Sequence, residues 1–319
     1  MVKVYFTVDV EIWCDGWNDI DNKFNAAFQR YIHGPTKKGN YGLPYKLDVL
    51  NDHGLTGVFF VEPLFSLRFG ADSLAEITGL IMEKNQPVEL HLHTEWVDEA
   101  KVSPLPNITE KRQHLRHFLP DEQKVLVETG KNLLNQAGVA HINAFRAGSF
   151  GFNVHTLSAL REAGIRVDSS YNATLMGLDS GLMPGHIVTE PLVHDGVYEV
   201  PMTVFYDWRD HLRHTQLCAC SSSELEGILW KSLEEGRKEV VILSHSFELL
   251  DKSCTRPNPV VIKRFRKLCA FLDKNRDCFS VEGFSDFTVD NVSEQPLPLR
   301  SPVWTTGLRV LEQVWSRYA

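Results

Sequence analysis

The stretch KVYFTVDVEI, residues 3–12, decides the fold, because it places an almost unbroken apolar run at the start of the chain. Continuous runs of Val, Phe and Ile are typical of strands buried on both faces, as in parallel sheets covered by helices. The run carries two acids near its end, Asp9 and Glu11, and residues two apart in a strand point to the same face. Two carboxylates in apolar surroundings are costly to bury without a purpose. The stretch therefore predicts a buried strand that ends in a functional pair of acids.

Strand-like and helix-like segments alternate along the rest of the chain. The further predicted strands are TGVFFVE (56–62), PVELHLH (87–93), INAFRAG (142–148), IRVDSS (165–170), YEVPMTVFY (198–206), EVVILSHSF (239–247) and FSVEGFSDF (279–287). Between them, apolar residues recur with the period of a helix. The predicted helices are LPYKLDVLNDHG (43–54), ADSLAEITGLIMEKN (71–85), DEQKVLVETGKNLLNQAG (121–138), VHTLSALREAG (154–164), SELEGILWKSLEEG (223–236) and PVVIKRFRKLCAFLDKN (259–275).

This alternation predicts an α/β fold, a distorted (β/α) barrel with about seven parallel strands. The barrel is expected to span residues 1–290. Residues 291–319 would form a C-terminal extension, whose short helix, with apolar residues at Leu308, Leu311, Val314 and Trp315, packs on the barrel. Barrels of this class carry their chemistry at the C-terminal ends of the strands. Catalytic residues should therefore fall at strand ends.

Composition narrows the class of protein. The chain has 319 residues, 43% hydrophobic and 23% charged, the profile of an ordinary soluble globular protein. A net charge of −8 disfavours binding to nucleic acid or to an anionic membrane. No apolar run has the length of a transmembrane helix, and the N-terminus lacks the features of a signal peptide, so a cytoplasmic location is expected. The sequence leaves the oligomeric state open.

The six cysteines are too few and too scattered for a disulfide scaffold, so free thiols are expected. Cys218 and Cys220 form a C-x-C pair, but no second pair or nearby histidine completes a metal site with them.

Polar residues of catalytic types do fall at the ends of the predicted strands. His91 and His93 share a face, as do Asp9 and Glu11. Two imidazoles and a carboxylate make a mononuclear metal site that leaves coordination positions for water and substrate. Three further residues sit at strand ends: Arg146, Asp168 and His245.

These residues carry a resemblance to the polysaccharide deacetylase superfamily, carbohydrate esterase family 4 and its relatives, over residues 3 to about 290. The segment TVDVE resembles the first family motif, and HLHTEW resembles the second in a form with two histidines two apart. RAGSF is similar to the third motif, with Gly148 where proline is usual. VDSS resembles the fourth motif and ILSHSFE the fifth. Five motifs in the right order make the case, because no one of them is specific.

The resemblance implies a metal-dependent hydrolase that removes N-acetyl groups from a saccharide or glycan. Asp9 would be the catalytic base, oriented by Arg146, and His245 the catalytic acid, tuned by Asp168 or another acid. The metal ligands would be Glu11, His91 and His93. Nitrogen-rich ligation favours Zn²⁺, with cobalt and nickel as alternatives.

Two other readings stay open. One is a metal-independent amide or ureide hydrolase with the same fold, which the H-x-H spacing permits. The other is a non-catalytic glycan-binding protein. In the glycan-binding protein, as in the deacetylase, the tryptophans predicted near loops could stack on sugar rings; they are Trp13, Trp17, Trp96 and Trp208. The partner in all three cases is a carbohydrate or a small amide.

Overall fold

The first strand of the computed structural model runs over Val2–Val10, as the opening stretch predicts. The structure describes residues 1–106, 108–288, 294–302, 304–307, 309 and 312. The strands in chain order are β1 (Val2–Val10), β2 (Pro35–Thr36), β3 (Gly39–Asn40), β4 (Gly57–Val61), β5 (Val88–Leu92), β6 (Ala144–Ala147), β7 (Val167–Asp168), β8 (Leu192–His194), β9 (Val197–Glu199), β10 (Val204–Tyr206), β11 (Leu212–His214), β12 (Glu239–His245), β13 (Phe279–Val281) and β14 (Leu299–Arg300). Every predicted strand segment contains a strand.

The helices cover all six predicted helical segments. In chain order they are α1 (Ile20–Phe28), α2 (Leu43–Asp52), α3 (Ser66–Phe69), α4 (Asp72–Met82), α5 (Pro120–Gln136), α6 (Val154–Glu162), α7 (Ser222–Glu234) and α8 (Pro259–Lys274). The sequence did not predict α1. Its buried residues, Ile20, Phe24, Ala27 and Phe28, do recur with helical spacing, but no side-chain cap marks its start and a turn of π-helix follows it over Gln29–His33.

The chain divides into two compact units. The first unit comprises residues 1–57, 203–282 and 297–319. Its central strand, β1, pairs in parallel with both β12 and β13. The β1 residues from Val4 to Val10 are all buried, which fits a strand covered on both faces. In sequence, helix α7 precedes β12 and helix α8 follows it, so this unit has the strand–helix alternation of a parallel sheet.

The second unit comprises residues 58–202 and 283–296. Its strands follow the order β4-β5-β6-β7-β9-β8. All the neighbouring pairs are parallel except β8 with β9, which form an antiparallel hairpin at the edge. The strands β4 and β5 are buried at every position. The molecule is thus an α/β protein built mostly of parallel strands, and the predicted fold class is confirmed.

One predicted strand, YEVPMTVFY, is wrong in its extent. It is divided into β9, which ends at Glu199, and β10, which begins at Val204. Pro201 lies in the gap, and proline has no N–H group to donate to a neighbouring strand. The strand β10 instead joins a separate three-stranded sheet with β11 and β14.

The predicted C-terminal extension lies only partly within the described residues. Residues 304–307 are helical, and the buried Arg309 donates hydrogen bonds to Glu224 and Asp207, each over 3.0 Å. The four apolar positions of the predicted helix, and the predicted boundary at residue 290, lie outside the described residues. The division at residue 290 therefore stays a prediction.

Two further expectations can be compared with the described chain. All six cysteines are free thiols, as predicted. Among the described residues, every helix is too short or too polar to span a membrane.

Candidate active site

The first unit brings Asp9, Glu11 and His245 together at neighbouring strand ends. Asp9 is the penultimate residue of β1, and its partner in the strand register is His245, the last residue of β12. Both acids are buried, with Asp9 3% and Glu11 7% exposed. The Nε2 atom of His245 lies 3.9 Å from Oε1 of Glu11. Asp9 and His245 thus lie side by side on two adjacent parallel strands, and Glu11 follows just after the end of β1.

His245 is held by an acid that the sequence analysis did not identify. Its Nδ1 hydrogen-bonds Oε1 of Glu248 over 2.9 Å. Burial alone would lower the pKa of His245, but the hydrogen bond and the charge of Glu248, with the charges of Glu11 and Asp9, raise it to about 9. His245 is therefore held in its protonated form, with Nε2–H as the donor directed away from Glu248.

Glu248 is itself embedded in a buried polar network. Burial alone would raise its pKa, but the hydrogen bond and charge of His245, with the charge of Lys46, lower it to about 2. Ser244 links Lys46 to Glu248. Its hydroxyl accepts a hydrogen bond from Lys46 Nζ over 2.7 Å and donates one to Glu248 Oε2 over 3.1 Å. Burial lowers the pKa of Lys46 to about 8. The network gives the imidazole a fixed orientation and a fixed counter-charge.

The second unit orients both histidines through their Nδ1 atoms. The Nδ1 of His91 lies 2.7 Å from the carbonyl oxygen of Arg146, its register partner on β6. The Nδ1 of His93 lies 3.3 Å from Oε2 of Glu95. A neutral imidazole that donates from Nδ1 carries its lone pair on Nε2, the arrangement common to metal-bound histidines. His93 itself lies just past β5, which ends at Leu92, rather than within the strand as predicted.

Arg146 is completely buried on β6. Its Nε donates to the carbonyl oxygen of Ser169 over 3.0 Å, and a terminal nitrogen lies 3.2 Å from the hydroxyl of the same residue. The guanidinium carbon stands 4.4 Å from the centre of the Phe60 ring, a cation–π geometry. Asp168, at the end of the next strand, contributes a negative charge that faces the guanidinium. The side chain is therefore locked in one orientation.

A group able to hold a metal ion is present. Glu11 in the first unit and His91 and His93 in the second are all buried, and each offers one ligand atom to such an ion. The set fits a divalent ion on its chemistry: it combines a carboxylate with two imidazoles whose Nδ1 atoms already have partners. The sequence assigns these three residues as metal ligands, and that assignment stays a prediction.

The lack of a side chain at Gly148 leaves the space that the ring of His93 occupies. The third motif of the family that the sequence resembles usually has proline at this position. A Cβ at this position would lie 2.6 Å from the carbonyl oxygen of Leu92 and 2.8 Å from Nδ1 of His93. Such contacts are closer than side-chain carbons tolerate, so the ring of His93 would have to move. The departure from the family motif is therefore linked to the position of this histidine.

We predict that Gly148→Ala weakens metal binding by roughly 10–100-fold, the usual cost of disturbing a ligand's supporting contacts. Overpacking should also lower the free energy of unfolding by about 1–3 kcal/mol. Metal affinity is measured by competition with a chelator, and stability by denaturation of the metal-free protein. The control is Gly79→Ala in α4, where a Cβ would meet nothing within 4 Å. Equal metal affinity in both variants would contradict the prediction.

The tryptophans predicted to contact sugar rings differ in their exposure. Trp96 is 1% exposed and packs edge-on against Phe65 and Phe69, so it belongs to the core. Trp208 is 54% exposed. Trp13 and Trp17 form an edge-to-face pair with ring centres 6.1 Å apart in the loop after β1. Trp96 is therefore closed to solvent, whereas Trp208 is exposed and the pair Trp13 and Trp17 is partly exposed.

Comparison with known proteins gives similarity at the level of fold. No protein-family sequence model and no curated protein sequence matches the chain. A candidate polysaccharide deacetylase from Mycobacterium smegmatis has a similar crystal structure, with a TM-score of 0.57 and 17% identity over 93% of this chain and 95% of that one. The chain therefore has the deacetylase-like (β/α) barrel fold, which confirms the class that the sequence predicts.

Two more distant structures are also similar. A family 4 carbohydrate esterase from Streptomyces lividans, solved in complex with acetate, matches with a TM-score of 0.43 and 11% identity over 89% of this chain and 92% of that one. A pseudoenzyme of the same family from Bacillus anthracis matches with a TM-score of 0.41 and 12% identity over 88% of this chain and 63% of that one.

Proposed function

We propose that this protein is a metal-dependent hydrolase that removes N-acetyl groups from a saccharide. The observation that carries the proposal is the set formed by Glu11, His91 and His93, in which each histidine is already oriented through Nδ1. Carboxylate–imidazole sets of this kind are typical of hydrolytic metal centres with open positions. The nitrogen-rich ligands favour Zn²⁺.

A divalent ion held by these ligands would polarise the acetamide carbonyl and lower the pKa of a water molecule. Asp9 takes the proton of the attacking water, and Arg146 orients the Asp9 carboxylate, as the family resemblance implies. His245 donates its Nε2 proton to the leaving amine. Glu248 keeps that imidazole protonated and oriented, which is the role that the sequence analysis left to Asp168 or another acid.

The substrate is proposed to be an N-acetylated glycan intermediate made inside the cell, and the protein to act in the cytoplasm. The loop pair Trp13 and Trp17 supports a carbohydrate, since aromatic faces pack against sugar rings. The proposal is tested by metal analysis of the purified protein together with a screen for acetate release from N-acetylated saccharides. Acetate release that follows metal content supports it. Full activity after complete removal of the metal overturns it and favours a metal-independent amide hydrolase.

The role of Glu248 gives a prediction about pH. We expect Glu248→Gln to lower the turnover number by roughly 10–100-fold, as loss of an orienting partner typically does. It should also move the alkaline limb of the kcat/KM profile to lower pH. The sign follows from the raised pKa of His245, about 9: the acid form persists up to that pH only while the negative charge of Glu248 is present.

The control for this prediction is Glu282→Gln, a half-exposed residue whose carboxylate lies 3.6 Å from Lys3 Nζ. The control should keep both the turnover number and the pH profile. An alkaline limb that does not move in Glu248→Gln would show that Glu248 does not set the protonation of the catalytic acid.

A further inference from the structure

Two carboxyl groups lie side by side in the interior of the second unit. Asp168 on β7 and Glu199 on β9 are register partners on adjacent parallel strands, and both are completely buried. One oxygen of each has a donor. The hydroxyl of Ser170 donates to Asp168 Oδ1, and the backbone N–H of Tyr171 donates to Glu199 Oε1 over 3.0 Å. The sequence predicts a role for Asp168 but none for Glu199.

The remaining two oxygens have no such donor. Asp168 Oδ2 and Glu199 Oε2 are buried, and no hydrogen-bond donor among the described residues reaches either atom. The carboxyl groups of Asp168 and Glu199 are close enough to form a hydrogen bond with each other when one of them is protonated. An ionised carboxylate only accepts hydrogen bonds, so two of them cannot satisfy one another. A single proton between the two groups satisfies both oxygens at once.

The charges around the two carboxyl groups also indicate that the pair holds one proton. Among the described residues, the positive charge that faces both carboxyls is that of Arg146, and Ser169, Ser170 and Tyr171 supply only neutral groups. One guanidinium can balance at most one of these two carboxylates, so a second ionised carboxylate here would be a buried charge without a partner. Burial raises the pKa of Asp168 to about 6, and burial with the neighbouring charge of Asp168 raises the pKa of Glu199 well above its usual range. Glu199 is therefore the better proton carrier.

We propose that Asp168 and Glu199 share one proton, carried by Glu199, and that the single charge left on Asp168 holds Arg146 in place. Glu199 is then a positioning residue, which acts on Arg146 through Asp168. The consequence reaches His91, because its Nδ1 bonds to the carbonyl oxygen of Arg146. This inference concerns the charge state of the second unit alone, and it holds or fails whether or not the protein is a deacetylase.

The first experiment compares the infrared spectra of two folded samples at neutral pH, the wild type and Glu199→Gln, both carrying ¹³C-labelled glutamate residues. We expect the difference spectrum to show the loss of one protonated carboxyl group. Glu62 and Glu89, whose pKa values burial raises to about 8, are present in both samples and cancel. Loss of an ionised carboxylate band instead would overturn the proposal. Should the variant not fold, the labelled wild type decides: its spectrum at neutral pH must contain protonated carboxyl groups from three buried glutamates, Glu62, Glu89 and Glu199. A spectrum that contains only two would overturn the proposal.

The second experiment measures stability against pH. A glutamate whose pKa is raised in the folded state stabilises the protein fully below pH 4.5, its ordinary pKa, and loses this contribution as the pH rises through the folded value. The amide of Glu199→Gln can donate to Asp168 and accept from Tyr171 at every pH. We therefore expect the stability of this variant to decline less than that of the wild type as the pH rises.

Glu199→Ala, which lacks the donor, should be destabilised, and the amide variant should rescue that loss. Glu83→Gln, at an exposed position after α4, is the control and should keep the wild-type pH dependence. Equal destabilisation by Gln and Ala, or a wild-type pH slope in Glu199→Gln, would overturn the shared proton.

Discussion

Replacing His91 or His93 with alanine is expected to remove the metal and reduce hydrolysis to near the background rate. Each substitution deletes one of the three ligands in the group of Glu11, His91 and His93. A metal's polarisation of the reacting carbonyl is worth several kcal/mol, which corresponds to a loss on the order of 10³-fold or more. His91 is the penultimate residue of β5 and His93 lies just past the strand, so both are at its carboxyl end and the fold should persist.

Metal content by elemental analysis and acetate release measure the effect, and circular dichroism checks the fold. His155→Ala is the matched control, since this exposed histidine lies in the first turn of α6. It should keep full metal content and activity. If both the His91 and His93 variants retain a full complement of metal, the ligands lie elsewhere and the proposed centre is wrong.

Asp9→Asn is expected to lower the turnover number by on the order of 10²–10⁴-fold while the metal remains bound. The amide has the size of the carboxyl group but cannot take a proton from water. Asp9 is 3% exposed and pairs in register with His245, the proposed acid. The variant therefore separates proton transfer from metal binding, which the histidine variants do not.

Metal content, the turnover number and KM are measured on the same preparation. We expect KM to change little, because Asp9 is assigned to the chemical step and not to binding of the sugar. Asp52→Asn, an exposed position at the end of α2, serves as the control. Loss of metal from Asp9→Asn would make Asp9 a ligand, and unchanged turnover would remove it from the mechanism.

The sequence by itself determined the strands, the helices and the ligand types. Continuous apolar runs such as the one in β1 are typical of buried strands, and the helical period between them indicates the crossovers of a parallel sheet. Polar residues that end such runs must meet, since parallel strands bring their carboxyl ends to one edge. The pair His91 and His93 was therefore predictable from spacing alone.

Tertiary structure alone decided which groups support these residues. Glu248 follows His245 in a turn, Glu95 follows His93 in a short helix, and nothing in their spacing separates them from ordinary surface acids. Glu199 acquires its role only because β9 lies beside β7 in the sheet. Protonation and orientation depend on burial and on the nearest charges, which are properties of neighbours in space and not of neighbours in sequence.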